Sequence, residues 1–417
     1  WTKAKQGMID QEIDDCVPVD ASLGKMFEKL EPGHKEITKG RLIQPYLNLA
    51  TQNRHAAKYY RLQKACARAF RVGGSFSEVI TRLEGVDIDV TFASGMNQVG
   101  LGGWMNDVVT TFSNPHFYER DGKSWDATMT RRVLLERNRF YGLVDKRLEL
   151  FSNQGIKIIS TAHNRKQRRK LKFLISSTTK SGHNDTSLGN SYSNAMISLE
   201  ALLKMGVQKA RIIAMGDDLL VAIEGDYDFD EMVKIESSYG IIPEAAKFSD
   251  WRKTSFVSGV FCQSTDSIIF LPVPGRLLQR LFWTTKSVRR KDIANWRFTV
   301  ALGLWPLLEN VPILRAFLNR HMNVGVCKTG VLTRDQFYRH KRFSDTVGPA
   351  EVPAAKWMME RYGISGADIK HAEDYIYGLG ADFGIMENEI LSHIVSVDNE
   401  NVCSRRVFDG VLPEFSV

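Results

Sequence analysis

Asp121, Asp126 and the adjacent pair Asp217-Asp218, which follows Gly216, are the residues of this 417-residue chain whose types and spacing best suit chemistry. Carboxylates gathered in one place hold hard divalent cations, Mg²⁺ or Mn²⁺, which take few protein ligands and complete their shells with phosphate oxygens. Two such ions held roughly 4 Å apart can transfer a nucleotidyl group, one lowering the pKa of an attacking hydroxyl and one neutralising a departing pyrophosphate. Taken singly, neither spacing is distinctive. Asp-x4-Asp arises by chance, and Gly-Asp is an ordinary choice for a tight hairpin turn.

Between the two sites lies Ser181-Gly182-His183-Asn184-Asp185-Thr186-Ser187-Leu188-Gly189-Asn190. Ser181 and Gly182 join a hydroxyl to a backbone free to approach a ligand, while Thr186 and Asn190 stand four apart, so that both can point from a helix at one target. Helix capping is the plain alternative for Thr186 and Asn190. The segment resembles motif B of viral RNA-dependent RNA polymerases, Ser-Gly-x3-Thr-x3-Asn, at every defining position. Asp121 to Asp126 is similar to motif A of that family and Gly216-Asp217-Asp218 to motif C, in the family's order. The resemblance implies catalysis and metal ligation by Asp121, Asp217 and Asp218, with two Mg²⁺ or Mn²⁺ ions. It also implies that Asp126 and Asn190 sense the ribose 2′-hydroxyl, the group that separates RNA precursors from DNA precursors. Ser181, Gly182 and Thr186 then join them at the nucleotide. The wording of the motif most resembles the nodavirus-like and tombusvirus-like positive-strand groups.

Other segments extend the resemblance. Lys35 to Ile43 resembles the basic motif F, with Lys39 and Arg41 on one side of a strand to neutralise a triphosphate and Lys35 toward RNA. A solvated basic strand is the alternative. Ile241 to Lys247 resembles motif D, in which a lysine acts as general acid toward pyrophosphate, making Lys247 the candidate. Ser255 to Ser264 resembles motif E by position. Two basic runs, one holding Arg165, Arg168 and Arg169 and the other Arg289 and Arg290, could line an RNA channel through sequence-blind phosphate contacts, or form solvated faces.

The elements that must position these residues read as follows. Phe117 to Asp121 reads as a strand, followed by a helix through Val133, Leu134 and Phe140 that stops near Gly142. A helix runs from about Ser187 to Gly206, and Arg211 to Met215 and Leu219 to Ile223 form two strands about the carboxylate turn. Asp228 with Glu231 reads as a capping-box-like helix start, Ser255 to Ile269 as a hairpin around Thr265-Asp266, and the last roughly 140 residues as mainly helical. The resemblance implies an α+β right-hand polymerase: fingers in residues 1–110, palm in 111–155, a fingers insertion in 156–180, palm again in 181–270 and a helical thumb in 271–417. The region before motif F is shorter than is usual for the family's fingertips.

Composition bounds the rest. Hydrophobic residues at 43% and charged residues at 25% are ordinary for a soluble globular chain long enough for several packed lobes. A net charge of +8 suits a polyanionic partner such as template and product RNA or ribonucleoside triphosphates. Five widely spaced cysteines show no zinc or disulfide spacing. The most apolar stretch, Phe298 to Leu314, is too short and too interrupted to be a transmembrane segment. The chain starts at Trp1, which reads as part of a longer replicase, with other replicase regions as partners and membrane-associated replication complexes in the host cytoplasm as its place. A reverse transcriptase, a silent RNA-binding scaffold and a nuclease using the same carboxylates remain the rivals. Asp126 with Asn190, the intact carboxylates and motif B respectively argue against them.

Overall fold

The computed structural model describes residues 23–28, 40–43, 49–164, 169–263, 267–282, 288–309, 311–322, 354–379, 387–403 and 406–407. Runs of Val, Ile, Leu and Phe, five or six residues long and closed by Gly, Asp or Pro, make strands; longer runs with apolar residues three and four apart make the helices around them. In chain order the elements are β1 (Leu23–Glu28), β2 (Gly40–Ile43), α1 (Leu49–Ala69), α2 (Ser75–Glu84), β3 (Asp87–Phe92), α3 (Gln98–Thr111), β4 (Pro115–Gly122), α4 (Trp125–Thr128), α5 (Arg131–Val144), α6 (Lys146–Gln154), β5 (Lys157–Asn164) and β6 (Arg169–Ser176). There follow α7 (Thr186–Lys204), β7 (Lys209–Met215), β8 (Asp218–Glu224), α8 (Phe229–Ser237), β9 (Pro243–Phe248), β10 (Ser255–Phe256), β11 (Gly259–Gln263), β12 (Ile268–Pro272), α9 (Pro274–Leu278), α10 (Ile293–Leu308), α11 (Pro312–Met322), α12 (Ala354–Tyr362), α13 (Gly366–Gly378), α14 (Glu389–Cys403) and β13 (Arg406–Val407).

A six-stranded sheet in the order β13-β9-β4-β8-β7-β3 is the centre of the molecule. Its β3–β7 pair is parallel and the rest antiparallel. Period-two alternation sends its side chains to two cores. Val90, Tyr118, Ile212, Val221 and Ile223 pack against α1, α7 and α8, whereas Phe117, Ile213, Leu220 and Ala222 pack against α3 and the β10-β11-β12 sheet. The mixed α/β architecture with a central sheet flanked by helices agrees with the fold class expected from the sequence. The two strands about the carboxylate turn and the helix after motif B form as expected; within the expected Ser255 to Ile269 hairpin, β10, β11 and β12 make a three-stranded sheet, and the Thr265-Asp266 turn lies outside the described residues.

The other parts attach to this centre. A second sheet, β2-β1-β5-β6, stands apart from it, and the described C-terminal helices pack with β11 and β12 into a core of their own through Val260, Leu271, Phe317 and Met358. Cys66 and Cys262 are buried thiols without a disulfide. Asp228 caps α8 by accepting from the Asp230 amide at 2.9 Å, so the cap is a local turn and not the expected reciprocal box with Glu231. Among the described residues, no helix is long and apolar enough to cross a membrane.

Candidate active site

The carboxylates meet because the strands that carry them are neighbours. β4 pairs with β8 from Pro115↔Glu224 to Arg120↔Leu219, and one step further sets Asp121 opposite Asp218 on the same face. Asp217 occupies the turn between β7 and β8, where Met215 pairs with Asp218 and only two residues close the hairpin. Gly216 takes a φ of 66° at the first turn position, a left-handed conformation that glycine adopts without strain. On the other side of β4, Glu244 of β9 stands opposite Asp121. The sequence reading gave that carboxylate no role.

Asp126 reaches the site by a sharp reversal. After Gly122 the chain turns through Ser124 (φ 52°) into the one-turn helix α4, whose Trp125 is buried below the loop. Asp126 then receives Asn190 Nδ2 at 3.2 Å on one oxygen and the Ser181 hydroxyl on the other. Motifs A and B are thereby joined side chain to side chain. Asn190 Oδ1 is buried and has no hydrogen-bond partner among the described residues, which leaves an acceptor beside Asp126.

The Ser181-Gly182 loop is fixed from below. Gly182 has a φ of 86°, and the loop is preceded by two left-handed non-glycine residues, Ser177 (φ 69°) and Thr178 (φ 71°), a combination that stores strain. Lys180 holds this bend: its ammonium donates to the carbonyls of Ile156 at 3.1 Å, Ser177 at 2.9 Å and Thr178 at 2.8 Å. Burial, reinforced by the Arg137 guanidinium against the opposing Asp185 carboxylate, pushes Lys180 down to about 8. Asp185, buried in the same loop, accepts from Tyr141 at 3.0 Å and pairs with Arg137 at 3.3 Å and with His183. Burial by itself would raise its carboxyl, but Arg137, His183 and the Tyr141 hydroxyl together hold it well below the usual carboxylate range. Gly189 is required by the same packing, since a Cβ there would stand 2.5 Å from the Tyr141 hydroxyl oxygen.

Several candidates do not join the cluster. The Thr186 hydroxyl donates to the carbonyls of Lys180 and His183, at 3.0 and 2.9 Å, so it secures the loop and does not share a target with Asn190. Lys247 pairs in register with Tyr118, three residues from Asp121 and therefore on the opposite face of the sheet. There it bonds Asp226 at 2.6 Å, lies over the Phe229 ring and helps line a cavity of about 870 Å³. The structure does not bring Lys247 to the carboxylates. Arg169 is exposed at the start of β6, and exposed Arg289 pairs with Asp292 at 2.6 Å. Arg41 lies on β2 and Arg290 begins a 3₁₀ turn, whereas Lys35, Lys39, Arg165 and Arg168 lie outside the described residues.

A family model described as RNA dependent RNA polymerase matches residues 66–299, more than half of the chain. The chain belongs to the RNA-dependent RNA polymerase family. It is an RNA-directed RNA polymerase, a nucleotidyltransferase of viral RNA replication, whose work implies binding of RNA and nucleoside triphosphates. No curated protein is similar enough to the chain to count as a match. The match runs from α1 into α10 and so takes in β4, the motif B loop, α7 and the carboxylate turn of this polymerase.

The family generally uses divalent metal ions, and the donor set of this polymerase can be tested against that use. Among the described residues, no group of three or more His, Cys, Asp and Glu side chains is placed to hold an ion by itself. Asp121 and Asp218 on paired strands, with Asp217 at the turn, instead offer the few hard oxygens that Mg²⁺ or Mn²⁺ takes when phosphate oxygens complete its shell. The residues fit a cation shared between protein and substrate.

Sequence reasoning missed the supports of the site: Lys180, the Asp185 cluster, and a buried set reaching from Arg120 to α7. A signal for the last existed. Asn190, Ser191, Asn194 and Ser198 make a polar stripe at helical spacing on an otherwise apolar, buried helix.

Proposed function

We propose that this polymerase extends RNA from ribonucleoside triphosphates by two-metal-ion nucleotidyl transfer, with Asp121, Asp217 and Asp218 as the ligands. The observation that carries this reading is the register of β4 on β8, which sets Asp121 opposite Asp218 beside the Gly216-Asp217 turn. Two Mg²⁺ or Mn²⁺ ions, when bound, supply activation of the attacking hydroxyl and neutralisation of the leaving pyrophosphate. The chain's own residues orient the nucleotide. Asp126, fixed by Ser181 and Asn190, presents a carboxylate to the ribose, and Asn190 Oδ1 is an acceptor available to a 2′-hydroxyl. Gly182 lets the loop backbone come close to the base pair being formed, and Thr186 keeps that loop on α7. Lys247 is assigned no part in the transfer.

In this reading β4, β7, β8 and β9 of the central sheet, with α7 and α8, make the palm, residues 111–155 and 181–270, and β3 from the 1–110 segment completes that sheet at its edge. The β2-β1-β5-β6 sheet belongs to the fingers, residues 1–110 and 156–180, and the C-terminal helices from 271 form the thumb. By the resemblance, Lys39 and Arg41 serve the triphosphate, and Lys35, Arg165, Arg168, Arg169, Arg289 and Arg290 serve RNA phosphates. The parent virus belongs with the nodavirus-like or tombusvirus-like groups, and the enzyme works in membrane-associated complexes of the host cytoplasm together with other replicase regions.

The test is incorporation of labelled ribonucleotides on a homopolymeric RNA template with Mg²⁺, for wild type and Asp217→Ala, with deoxyribonucleotides in parallel. Templated synthesis from ribonucleotides that falls on the order of 10³-fold or more in the variant, with RNA binding kept, supports the assignment. Near-normal turnover by Asp217→Ala would sink it.

A further inference from the structure

The polar stripe of α7 does more than fill space. Ser191 Oγ accepts from the Gly216 amide at 2.8 Å, and Asn194 Nδ2 donates to the carbonyls of Gly216 at 3.1 Å and Asp218 at 3.3 Å. One turn of helix thus grips both ends of the turn that carries Asp217. Asn194 is itself held: its Oδ1 accepts from Arg120 Nη2, and Arg120 is the strand residue next to Asp121. Arg120 lies over Trp125 at 5.3 Å, beside Asp126, and its Nε stands 3.1 Å from Glu236 Oε2. Glu236 also takes the Ser198 hydroxyl at 2.7 Å and the Tyr118 hydroxyl at 2.9 Å.

Asn194, Ser198 and Glu236 are fully excluded from solvent and Arg120 nearly so. A buried ion pair of this kind is a poor source of stability compared with apolar residues of the same volume. Its geometry supplies another reason for its presence. The chain Glu236–Arg120–Asn194 connects α8, β4 and α7 to the carboxylate turn, and it touches each carboxylate-bearing segment on the backbone or at the adjacent residue. Groups that orient ligands in this way govern cation affinity nearly as strongly as the ligands do.

We infer that Asn194 is a positioning residue, set by the Arg120–Glu236 pair, which fixes the Gly216-Asp217-Asp218 turn relative to Asp121 so that the two strands share their cations. The inference rests on the reading of Asp121, Asp217 and Asp218 as cation ligands. It assigns Asn194 no contact with substrate. Replacing it with a residue of the same shape that cannot donate a hydrogen bond leaves the carboxylates in place but frees the turn.

Asn194→Asp keeps volume and the Arg120 partner and, in its ionised form, sets carboxylate oxygen against the two carbonyls. Three measurements on the full chain decide the matter: hydrogen exchange of the amides of residues 216–219 without metal, Mn²⁺ binding by calorimetry without substrate, and kcat and KM for ribonucleotide. The expected result is faster exchange confined to the turn, Mn²⁺ affinity and kcat each lower by roughly 10- to 100-fold, and an unchanged KM. Ser191→Ala, which removes the other grip, should move the same readouts in the same direction by less, and it serves if Asn194→Asp does not fold. Wild-type exchange and Mn²⁺ affinity in both variants would overturn the inference, even if activity fell. If wild type shows no Mn²⁺ binding that Asp217→Ala removes, the reading of the carboxylates fails instead, and exchange at the turn still decides whether Asn194 holds it.

Discussion

The central sheet and the β2-β1-β5-β6 sheet solve opposite problems. In β7 and β8 the five interior residues of each strand are buried, and the proposed cation ligands Asp217 and Asp218 sit at the end where the pair turns. Along β6, by contrast, six of eight residues are exposed, and the cations Arg169, Lys170 and Lys172 stand in solvent with Leu171 among them and Leu174 just beyond. Groups that must meet a reacting phosphate within tenths of an ångström need a support that cannot move, whereas charges that follow a polyanion act through a screened field and tolerate an exposed strand. Under the proposed assignments, precision is a property of burial and attraction a property of exposure.

Substitutions that open the buried side should separate the two regions most clearly. Arg120→Met leaves Glu236 buried beside Tyr118 and Ser198 without its cation, and should lower unfolding free energy by about 3–5 kcal/mol in denaturant titration. A loss below about 1 kcal/mol would mean that the interior of the central sheet is as yielding as β6.

The pH profile sharpens the contrast at the loop. Because Asp185 is held below its unfolded pKa, its contribution is fully present above about 4 and is lost as pH falls through the depressed folded value. Thermal melts between pH 2 and 6, in which Asp185→Asn flattens the acid limb and lowers stability near neutrality by about 3 kcal/mol, would bear this out.

A smaller effect is expected at Asn190, which touches specificity and not the fold as a whole. Asn190→Ala should reduce the preference for ribonucleotides over deoxyribonucleotides by roughly 10- to 100-fold, measured as the ratio of kcat/KM, since one buried hydrogen-bond partner of Asp126 is lost. Unchanged discrimination would remove Asn190 from the ribose site. Least of all, Arg169→Ala should weaken RNA binding by a few-fold and reduce the slope of log affinity against log salt by about 1 or less. A loss as large as that of a buried group would show that β6 positions and does not merely attract.

What the sequence made legible was local. The hairpin at Gly216-Asp217, the strand ending at Asp121 and the helix beginning at Thr186 each follow from turn residues and periodicity over ten to twenty positions, and motif order then supplied their adjacency. Arg120 could not be read that way. Its partners Asn194 and Glu236 lie 74 and 116 positions away, and in the sequence it is one more charge in a strand. Lys247 was legible only through its resemblance to motif D, which carries no register: it stands three residues from Glu244, on the other face of β9 from the position opposite Asp121. For Thr186 the spacing was right and the partner was not, because a hydroxyl in the first turn of a helix finds loop carbonyls before it finds a neighbour one turn on.

Lys180 offers one last consequence, for observation of the enzyme at work. An amine held at about 8 carries more free base at neutral pH than an ordinary lysine, yet Lys180 is buried and donates to three carbonyls. An acylating reagent can therefore reach it only while the left-handed bend at Ser177-Thr178 is open. The rate at which that side chain takes up label, read by mass spectrometry with and without template and nucleotide, measures how their binding changes access to the bend.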